Sequence, residues 1–372
     1  MYTEIETVEE LVARLAAGAS LRGVVVQGLA LHTVADALLR VSGSGAVFLG
    51  CDVPAPVAEH LRASGAMLFP ELPGLPYRAF RSTLYTPEEL LDGYERGRPA
   101  SFFESSRDAR IYHHYRDSRG ASILEALAQR LHDFSIDDAK HDLLASAHAA
   151  RRVAIMGGHA MRRDDPSFAA VASIAQRLCR AGYFLISGGG PGAMEATNLG
   201  AWLGDRDDGA VAEAVAMLAG APSYRDAGWI ESALACKAAF ADGRRSLGIP
   251  TWFYGHEPSN LFSTHVAKYF SNSLREDGLL AIARHGVVFA PGSAGTVQEI
   301  FMDAAQNHYG TFELVSPMVF LDRRYWHEVR PVAELLAKLS EGRQYAEMIR
   351  FADTPEEVVG AIRSMPPVEY AG

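Results

Sequence analysis

Two glycine-rich segments, each placed between an apolar run and a helix-like stretch, constrain the fold of this chain more than any other feature. The first is Ser187–Glu195 (SGGGPGAME), which follows the apolar run 183–186, and the second is Pro291–Glu299 (PGSAGTVQE), which follows 287–290. Where a parallel strand enters a helix through a glycine turn, unpaired backbone N–H groups and the positive helix end meet at one point, which suits a phosphate. Two such turns predict a phosphorylated small molecule held between them.

Apolar runs alternate with helical periodicity on both sides of these turns. The predicted strands are 153–156, 183–187, 249–253, 287–290 and 317–321, and the predicted helices are 166–181, 192–202, 274–284 and 296–307. Strands separated by helices predict an α/β fold with a doubly wound, Rossmann-like parallel sheet and right-handed crossovers. Ligands bind beyond the carboxyl ends of such strands, where both turns and a third, Gly157-Gly158-His159, are placed.

The chain is predicted to contain two domains. Residues 150–372 carry the glycine turns, whereas residues 1–149 are predicted to form a smaller N-terminal α/β domain whose role the sequence does not indicate. The elements predicted there are helices at 8–15, 33–41, 55–63, 88–96 and 122–148 and strands at 24–27 and 46–49. The segment 102–115 is rich in aromatic and charged residues. It is interpreted either as a loop that reaches the ligand site or, as the favoured alternative, as a surface between the domains.

Composition excludes several classes of function. The net charge of −10 over 372 residues argues against a broad surface for nucleic-acid polymers or anionic membranes. Cys51, Cys179 and Cys236 are widely spaced and form no metal or redox motif, and no apolar run reaches membrane-spanning length. The N-terminus is acidic and unlike a signal peptide. The sequence therefore predicts a cytoplasmic protein with no metal, no cofactor and no membrane or nucleic-acid partner.

The second glycine segment ends in a carboxylate. Thr296 and Glu299 are three residues apart at the start of a predicted helix, so their side chains share a face and the glutamate points back towards the turn. One interpretation is a capping box, in which Thr296 caps the helix and Glu299 accepts from the Thr296 backbone N–H. The other is a general base beside an anion site, and the glycine turn in front of the pair favours it.

These motifs resemble those of a known family. Pro291–Glu299 resembles the Pro-Gly-Gly-x-Gly-Thr-x-x-Glu signature of the Lonely Guy (LOG) phosphoribohydrolases, which free a base from a nucleoside 5′-monophosphate. Gly188–Ala201 (GGGPGAMEATNLGA) is similar to the corresponding segment of their larger bacterial relatives, the purine/pyrimidine nucleotide 5′-monophosphate nucleosidases. In this chain, Gly157-Gly158-His159 also matches the first glycine turn of these larger enzymes. The resemblance covers roughly residues 150–325.

The resemblance implies an enzyme that hydrolyses the N-glycosidic bond of nucleoside 5′-monophosphates such as AMP, giving free base and ribose 5-phosphate. It implies a LOG-type domain, a small-molecule nucleotide as substrate and a homo-oligomer, either a dimer or a dimer of dimers. Glu299 and Arg275 are the predicted catalytic residues. The predicted substrate-binding residues are Gly157, Gly158, His159, Gly188, Gly189, Gly190, Gly192, Glu195, Gly292, Ser293, Gly295 and Thr296.

Some assignments keep a structural alternative. Glu195 is interpreted either as a contact to ribose or base, or as a carboxylate that stabilises the dipole of its helix. His159 is interpreted as a phosphate or base contact, or as a turn histidine with a structural bond. Arg275 lies one residue further from the second motif than the family's arginine, and Glu276 follows it where lysine is frequent. Its alternative is an ordinary solvated side chain at a helix start.

Ser293 stands where the family has the second glycine of its motif. A positive φ there would be costly for serine, which puts the geometry of this turn in question. Together with Arg275-Glu276, this departure keeps a second function open. That function is non-catalytic binding of a nucleotide or of a phosphorylated cofactor such as the molybdenum cofactor.

Overall fold

A computed structural model describes residues 3–118, 122–146 and 150–371. They divide into two compact units, one formed by the described residues of 1–84 and 114–142 and the other by 85–113 and 143–371. Residues 85–113, which the sequence analysis assigns to the N-terminal domain, thus pack with the larger unit. The predicted boundary at residue 149 lies outside the described residues, and the division into domains there stays a prediction.

The smaller unit is a four-stranded parallel sheet with the strand order β1-β2-β3-β4. Its elements are β1 (Thr3–Ile5), α1 (Val8–Ala16), β2 (Val24–Gln27), α2 (Ala35–Leu38), β3 (Val47–Leu49), α3 (Ala55–Ala63) and β4 (Met67–Phe69). Leu11, Val24, Phe48 and Leu61 are fully buried in its core, because the apolar face of each helix packs on the sheet. The predicted small α/β layer is confirmed.

Four helices follow in the chain, and the larger unit then begins its own sheet. The helices are α4 (Pro87–Leu91), α5 (Ser101–Glu104), α6 (Arg107–Asp117) and α7 (Ile123–Ala145). The remaining elements are β5 (Arg152–Met156), α8 (Pro166–Arg180), β6 (Phe184–Ser187), α9 (Ala193–Trp202), α10 (Gly209–Leu218), α11 (Trp229–Ala239), β7 (Ser246–Gly248), β8 (His265–Val266), α12 (Asn272–Ile282), β9 (Val287–Phe289), α13 (Ala294–Tyr309), β10 (Leu314–Val315), β11 (Met318–Leu321), α14 (Ala333–Ser340), β12 (Ile349–Ala352), α15 (Pro355–Ser364) and β13 (Val368–Glu369).

The seven-stranded sheet of the larger unit is parallel throughout, with the order β12-β11-β9-β5-β6-β7-β8. The chain runs outward from β5 through β6 and β7 on one side, and through β9 and β11 on the other. The strand order therefore reverses between β5 and β9, and such a switch point opens a crevice at the carboxyl ends of the strands. The predicted fold class, a doubly wound Rossmann-like sheet with a smaller N-terminal α/β layer, is confirmed.

The core of this unit lies where the central strands meet α8 and α9. Val153, Ile155 and Leu185 are fully buried against Phe168 and Leu199 of these two helices. Strands buried on both faces read as continuous apolar runs, and for this reason the sequence identified β5, β6, β9 and β11 to within one residue at each end.

One predicted strand is misplaced. The sequence analysis puts a strand at 249–253, but β7 is Ser246–Gly248, and residues 249–253 follow it as a loop. Pro250 has no N–H to donate to a sheet, and Pro250 O instead accepts from Tyr269 N at 3.1 Å. The strands that were not predicted are β1, β4, β8, β10, β12 and β13, which have two to four residues each, and segments this short give a weak periodic signal.

Candidate functional site

The glycine turns that follow β5, β6 and β9 lie around one cavity of 530 Å³ in the larger unit. A cavity of this volume is within the usual range for small-molecule sites, and the switch point is where such sheets bind ligands. The predicted site residues that line it are Gly157, Gly158, His159, Gly188, Gly190, Arg275, Ser293, Gly295, Thr296 and Glu299. The structure therefore brings together residues from all three turns and from the start of α12.

The predicted residues outside this lining are Gly189, Gly192, Gly292 and Glu195. Two of these glycines are needed for the shape of the turns. Gly192 has a φ of +70°, and a Cβ there would collide with the carbonyl oxygen of Gly158 in the neighbouring turn. A Cβ on Gly292 would collide with the Thr296 hydroxyl. Both positions let two backbone segments approach closely, which only glycine permits.

A buried network of polar side chains holds the turn after β6. Ser187 Oγ accepts from Gly189 N at 3.0 Å and donates to Asn198 Oδ1 at 2.7 Å. Asn260 Nδ2 donates to Gly190 O at 3.1 Å and to Asn198 Oδ1 at 2.9 Å, while Asn260 N donates to Gly189 O at 2.9 Å. Sequence reasoning missed both asparagines. Asn198 lies inside a quoted motif, whereas Asn260 lies in a loop without any motif.

The turn after β9 is compatible with its serine. Ser293 has φ −112°, a value that any L-residue adopts, so the doubt over a strained turn is resolved in favour of serine. Ser293 is the N-cap residue of α13, and Thr296 is the third residue of the helix, so the proposed capping box with Thr296 as the cap is wrong. As at any helix start, the N–H groups of Ala294, Gly295 and Thr296 have no acceptor within the helix. These residues line the cavity.

Glu299 faces Arg275 within the cavity. Arg275 Nη1 lies 3.5 Å from Glu299 Oε1, and Arg275 Nε donates to Ile249 O at 2.9 Å. Only 11% of the Arg275 side chain is exposed, so the alternative of a solvated arginine is wrong. Burial raises the pKa of Glu299, Arg275 lowers it and the charge of Glu276 raises it, and together they place this pKa at about 7. A carboxyl group with this pKa is suited to accept a proton near neutral pH.

Other cavity residues come from segments without a recognisable motif. Glu276 accepts from Gln298 Nε2 at 2.6 Å, and the Tyr254 hydroxyl accepts from Asn272 Nδ2 at 2.9 Å. The lining residues that sequence reasoning did not select are Met194, Pro250, Thr251, Tyr254, Gly255, Glu257, Glu276, Ala294 and Gln298. Met194, Ala294 and Gln298 lie inside the glycine motifs and could have been found there. The lining residues of the 250–260 loop could not have been found, because that loop carries no motif.

Glu195 and His159 differ in their surroundings. Glu195 is fully buried, and Arg163 binds both of its carboxylate oxygens, through Nε to Oε2 at 3.0 Å and through Nη2 to Oε1. Glu195 and Gly192 line a smaller, 180 Å³ cavity instead of the large one. His159 lines both cavities, and half of its side chain is exposed, with Nε2 3.9 Å from Glu257 Oε1.

One group of carboxylates converges in the smaller unit. Among the described residues, Glu4, Glu6 and Asp142 bring their oxygens within 4.8 Å of one another. Burial and the neighbouring charge of Asp142 raise the pKa of Glu6 to about 7. Acidic side chains that are largely exposed make a weak argument for an ion, so we assign no metal to them. No helix in the described parts of the chain is long and apolar enough to cross a membrane.

Comparisons with known proteins identify no family. No protein-family model matches the sequence, and a search of curated proteins found no match. Among solved structures, the molybdenum cofactor binding protein of Rippkaea orientalis has 16% sequence identity and a TM-score of 0.38, with 59% of this chain and 98% of that one covered. The molybdenum cofactor carrier protein MCP of Chlamydomonas reinhardtii has 12% identity, a TM-score of 0.35 and coverage of 58% and 97%.

A third similar structure is that of TM1055, a structural-genomics target with 18% identity, a TM-score of 0.35 and coverage of 57% and 99%. Likenesses this distant carry no inference about a ligand or an activity. The assignment of the fold rests on the parallel sheet and its switch point.

Proposed function

We propose that this chain hydrolyses the N-glycosidic bond of nucleoside 5′-monophosphates to free base and ribose 5-phosphate. The observation that carries the proposal is the position of Glu299, a nearly buried carboxylate beside Arg275 in a cavity on which three glycine turns converge. An anion site next to a general base is what the hydrolysis of a phosphorylated ribosyl compound requires.

The 5′-phosphate would bind where the turns present their backbone. Helix α13 begins at Ala294, so its unpaired N–H groups and positive end favour an anion beside Ser293, Gly295 and Thr296. Gly188 and Gly190, from the turn after β6, line the same cavity. This anion site consists of backbone N–H groups and needs no cluster of basic side chains. A net charge of −10 on the protein is therefore compatible with the binding of a mononucleotide.

The chemistry would use Glu299 as a base. As the C1′–N bond breaks, its electron pair goes to the departing base and positive charge builds on the ribose ring, as in glycoside hydrolysis. The Glu299 carboxylate stabilises that charge and takes a proton from water as the water oxygen bonds to C1′. The proton is then available for the departing base. Arg275 orients the carboxylate and can hold a hydroxyl or phosphate oxygen with its planar fork.

The proposal is tested by incubating the protein with a panel of nucleoside 5′-monophosphates and measuring free base and ribose 5-phosphate together. We expect equal amounts of the two products from at least one nucleotide. The matched nucleosides, which lack the 5′-phosphate, serve as the control and should be cleaved far more slowly, because the glycine turns would have no anion to bind.

Two results would contradict the proposal. Nucleosides cleaved as fast as their monophosphates would remove the role of the glycine turns. A nucleotide that binds with micromolar affinity and is recovered intact would indicate the alternative function, a binding protein for a nucleotide or another phosphorylated compound. Calorimetry on the same samples separates a bound but uncleaved nucleotide from one that does not bind.

A further inference from the structure

Helix α6 carries a buried aspartate that belongs to no glycine motif. Asp108 is fully buried, and its carboxylate accepts from Trp252 Nε1 at 2.7 Å and from Lys268 Nζ at 2.9 Å. His256 Nε2 lies 3.6 Å from Asp108 Oδ2. Burial disfavours the charge, but Lys268 and His256 outweigh it and hold the pKa of Asp108 down at about 2. The buried carboxylate is therefore ionised, with cationic or N–H groups on several sides.

The partners of Asp108 lie in or next to the 250–260 loop, which forms one wall of the large cavity. Trp252 and His256 belong to this loop, and the loop residues that line the cavity are Pro250, Thr251, Tyr254, Gly255 and Glu257. Lys268 also contacts the loop directly, because its Nζ donates to Glu257 O at 3.4 Å and to Ser259 Oγ at 3.3 Å. The Asp108–Lys268 ion pair therefore connects α6 to Glu257 and Ser259 of the loop.

Stacked rings support the same attachment. The His256 ring is parallel to those of Phe102 and Tyr112, at centroid distances of 5.1 and 5.3 Å and interplanar angles of 4° and 12°. Phe102 is in α5 and Tyr112 in α6, so two rings of the 102–115 segment stack with the loop histidine. The predicted loop that reaches the ligand site is wrong for this segment, which forms α5 and α6 and supplies none of the residues that line the cavity. It contacts the loop that does line the cavity.

A buried ion pair is a poor source of stability, since desolvation of both charges offsets much of their attraction. Lys268 and Asp108 are each fully buried, so this penalty applies to both charges. The pair can instead fix the position of the loop. Its hydrogen bonds hold the backbone of Glu257 and the indole of Trp252 in place relative to α6.

We propose that the Asp108–Lys268 pair is a positioning device that holds the 250–260 loop as the wall of the nucleotide cavity. The role of the pair in nucleotide affinity rests on the proposed function. Neither residue is placed in contact with the substrate. Its loss should therefore weaken the binding of nucleotide while leaving the chemical step at Glu299 and Arg275 nearly intact.

The test compares wild type with the double variant Asp108→Asn, Lys268→Met. The new side-chain amide on α6 can still accept from the Trp252 indole, while both buried charges disappear. We expect hydrogen exchange of the 250–260 amides to accelerate at least tenfold. KM for the best nucleotide should rise roughly tenfold with kcat changed by less than about threefold, as expected when binding but not the transition-state interaction is lost. Because exchange is measured without nucleotide, it reports on the loop independently of turnover.

The matched control is Glu88→Gln, Lys237→Met, which removes another ion pair between the 85–113 segment and the rest of the unit. Lys237 Nζ donates to Glu88 Oε1 at 2.7 Å, and neither residue lines the cavity. This variant should show wild-type exchange and kinetics. If the Asp108 variant does not fold, Trp252→Phe, which removes one hydrogen bond and keeps an aromatic ring, should raise KM by roughly threefold.

A folded Asp108→Asn, Lys268→Met variant with wild-type loop exchange would overturn the inference, and so would faster exchange with an unchanged KM. A tenfold fall in kcat with no change in KM would also overturn it, because the pair would then act on the chemical step. Wild-type protein that neither binds nor cleaves any nucleotide would overturn the proposed function and this inference together. Wild-type turnover with an unaffected variant would overturn only the inference.

Discussion

Two glutamates follow two glycine turns, and they differ in how completely an arginine pairs with the carboxylate. Glu195 is the third residue of α9 and Glu299 the sixth of α13. Both side chains are largely buried, and both are paired with an arginine. Arg163 binds both oxygens of Glu195, at full burial. Arg275 touches one oxygen of Glu299 at 3.5 Å, beside a large cavity.

The difference supports separate roles for the two glutamates. Glu195 has its charge neutralised by a bidentate partner, which itself donates to Ala221 O, Trp229 O and Ser232 Oγ. Such a carboxylate has both oxygens engaged by a charged donor, which favours a structural role. Glu299 is desolvated without full compensation, and its pKa is raised to about 7. Incomplete pairing beside a cavity is what makes a carboxylate reactive.

The largest effect is expected from Glu299→Gln. If Glu299 is the base, turnover should fall by roughly 10²- to 10⁴-fold while the Kd for nucleotide changes little. Steady-state kinetics and calorimetry on the same preparation measure the two quantities. A variant with near-normal turnover would show that the chemical step does not require Glu299, and the contrast with Glu195 would then carry no functional meaning.

Glu195→Gln should act on stability instead. The change leaves the Arg163 guanidinium buried with a weakened partner, which typically costs about 3–5 kcal/mol of unfolding free energy. Denaturant titration measures this loss. In the control variant Glu195→Gln, Arg163→Met, both charges are absent, so much of the stability should return. If instead Glu195→Gln keeps full stability and raises KM sharply, Glu195 is a substrate contact after all.

Much of this contrast could not be predicted from sequence. The glycine turns, the strands that precede them and the parallel sheet were identified, because buried strands and glycine turns leave strong local patterns. The motifs also located Glu299. They could not show the partner of Glu195, because Arg163 lies 32 residues away in a stretch with no motif. Pairing of distant buried charges leaves no local signal.

The wall of the cavity was missed for a similar reason. Residues 250–253 were predicted as the end of a strand, whereas they belong to the 250–260 loop. This loop is held by Asp108 of α6 and by Lys268, which follows β8. The aromatic and charged residues at 102–115 were noticed, but their partners in and beside the loop are more than a hundred residues away. The predicted homo-oligomer also stays a prediction, because surfaces between copies leave no readable pattern in a single chain.

Arg275→Lys tests the second arginine of the comparison. An ammonium keeps the charge but loses the planar fork, and a charge-assisted bond of this kind is worth about 1.5–3 kcal/mol, or roughly ten- to a hundredfold in kcat/KM. Arg275 Nε also donates to Ile249 O, so Arg275→Ala should be at least as damaging. Wild-type kinetics in both variants would mean that Glu299 works without this arginine.

The pH dependence of kcat/KM should follow the protonation of Glu299. The raised pKa means that the carboxylate is mostly protonated below about pH 7, so a base-dependent activity should be highest above this pH. Below it, kcat/KM should fall by about tenfold per pH unit, because one proton blocks the base. A profile that stays flat down to about pH 5 would contradict a base with this pKa and would leave Glu299 an electrostatic role only.

The smallest effect is expected from Ser293→Gly, which restores the glycine of the family motif. Ser293 has φ −112° and an exposed side chain, so its turn does not need glycine. We expect kcat/KM within about twofold of wild type and a stability loss of at most roughly 1 kcal/mol from the added backbone entropy. The matched change in the other turn is Gly192→Ala, at a φ of +70° and against the Gly158 carbonyl, and it should be clearly damaging. If Ser293→Gly instead raised kcat/KM by about tenfold, the serine would be impairing the anion site, and the turn after β9 would need glycine as strictly as the turn after β6.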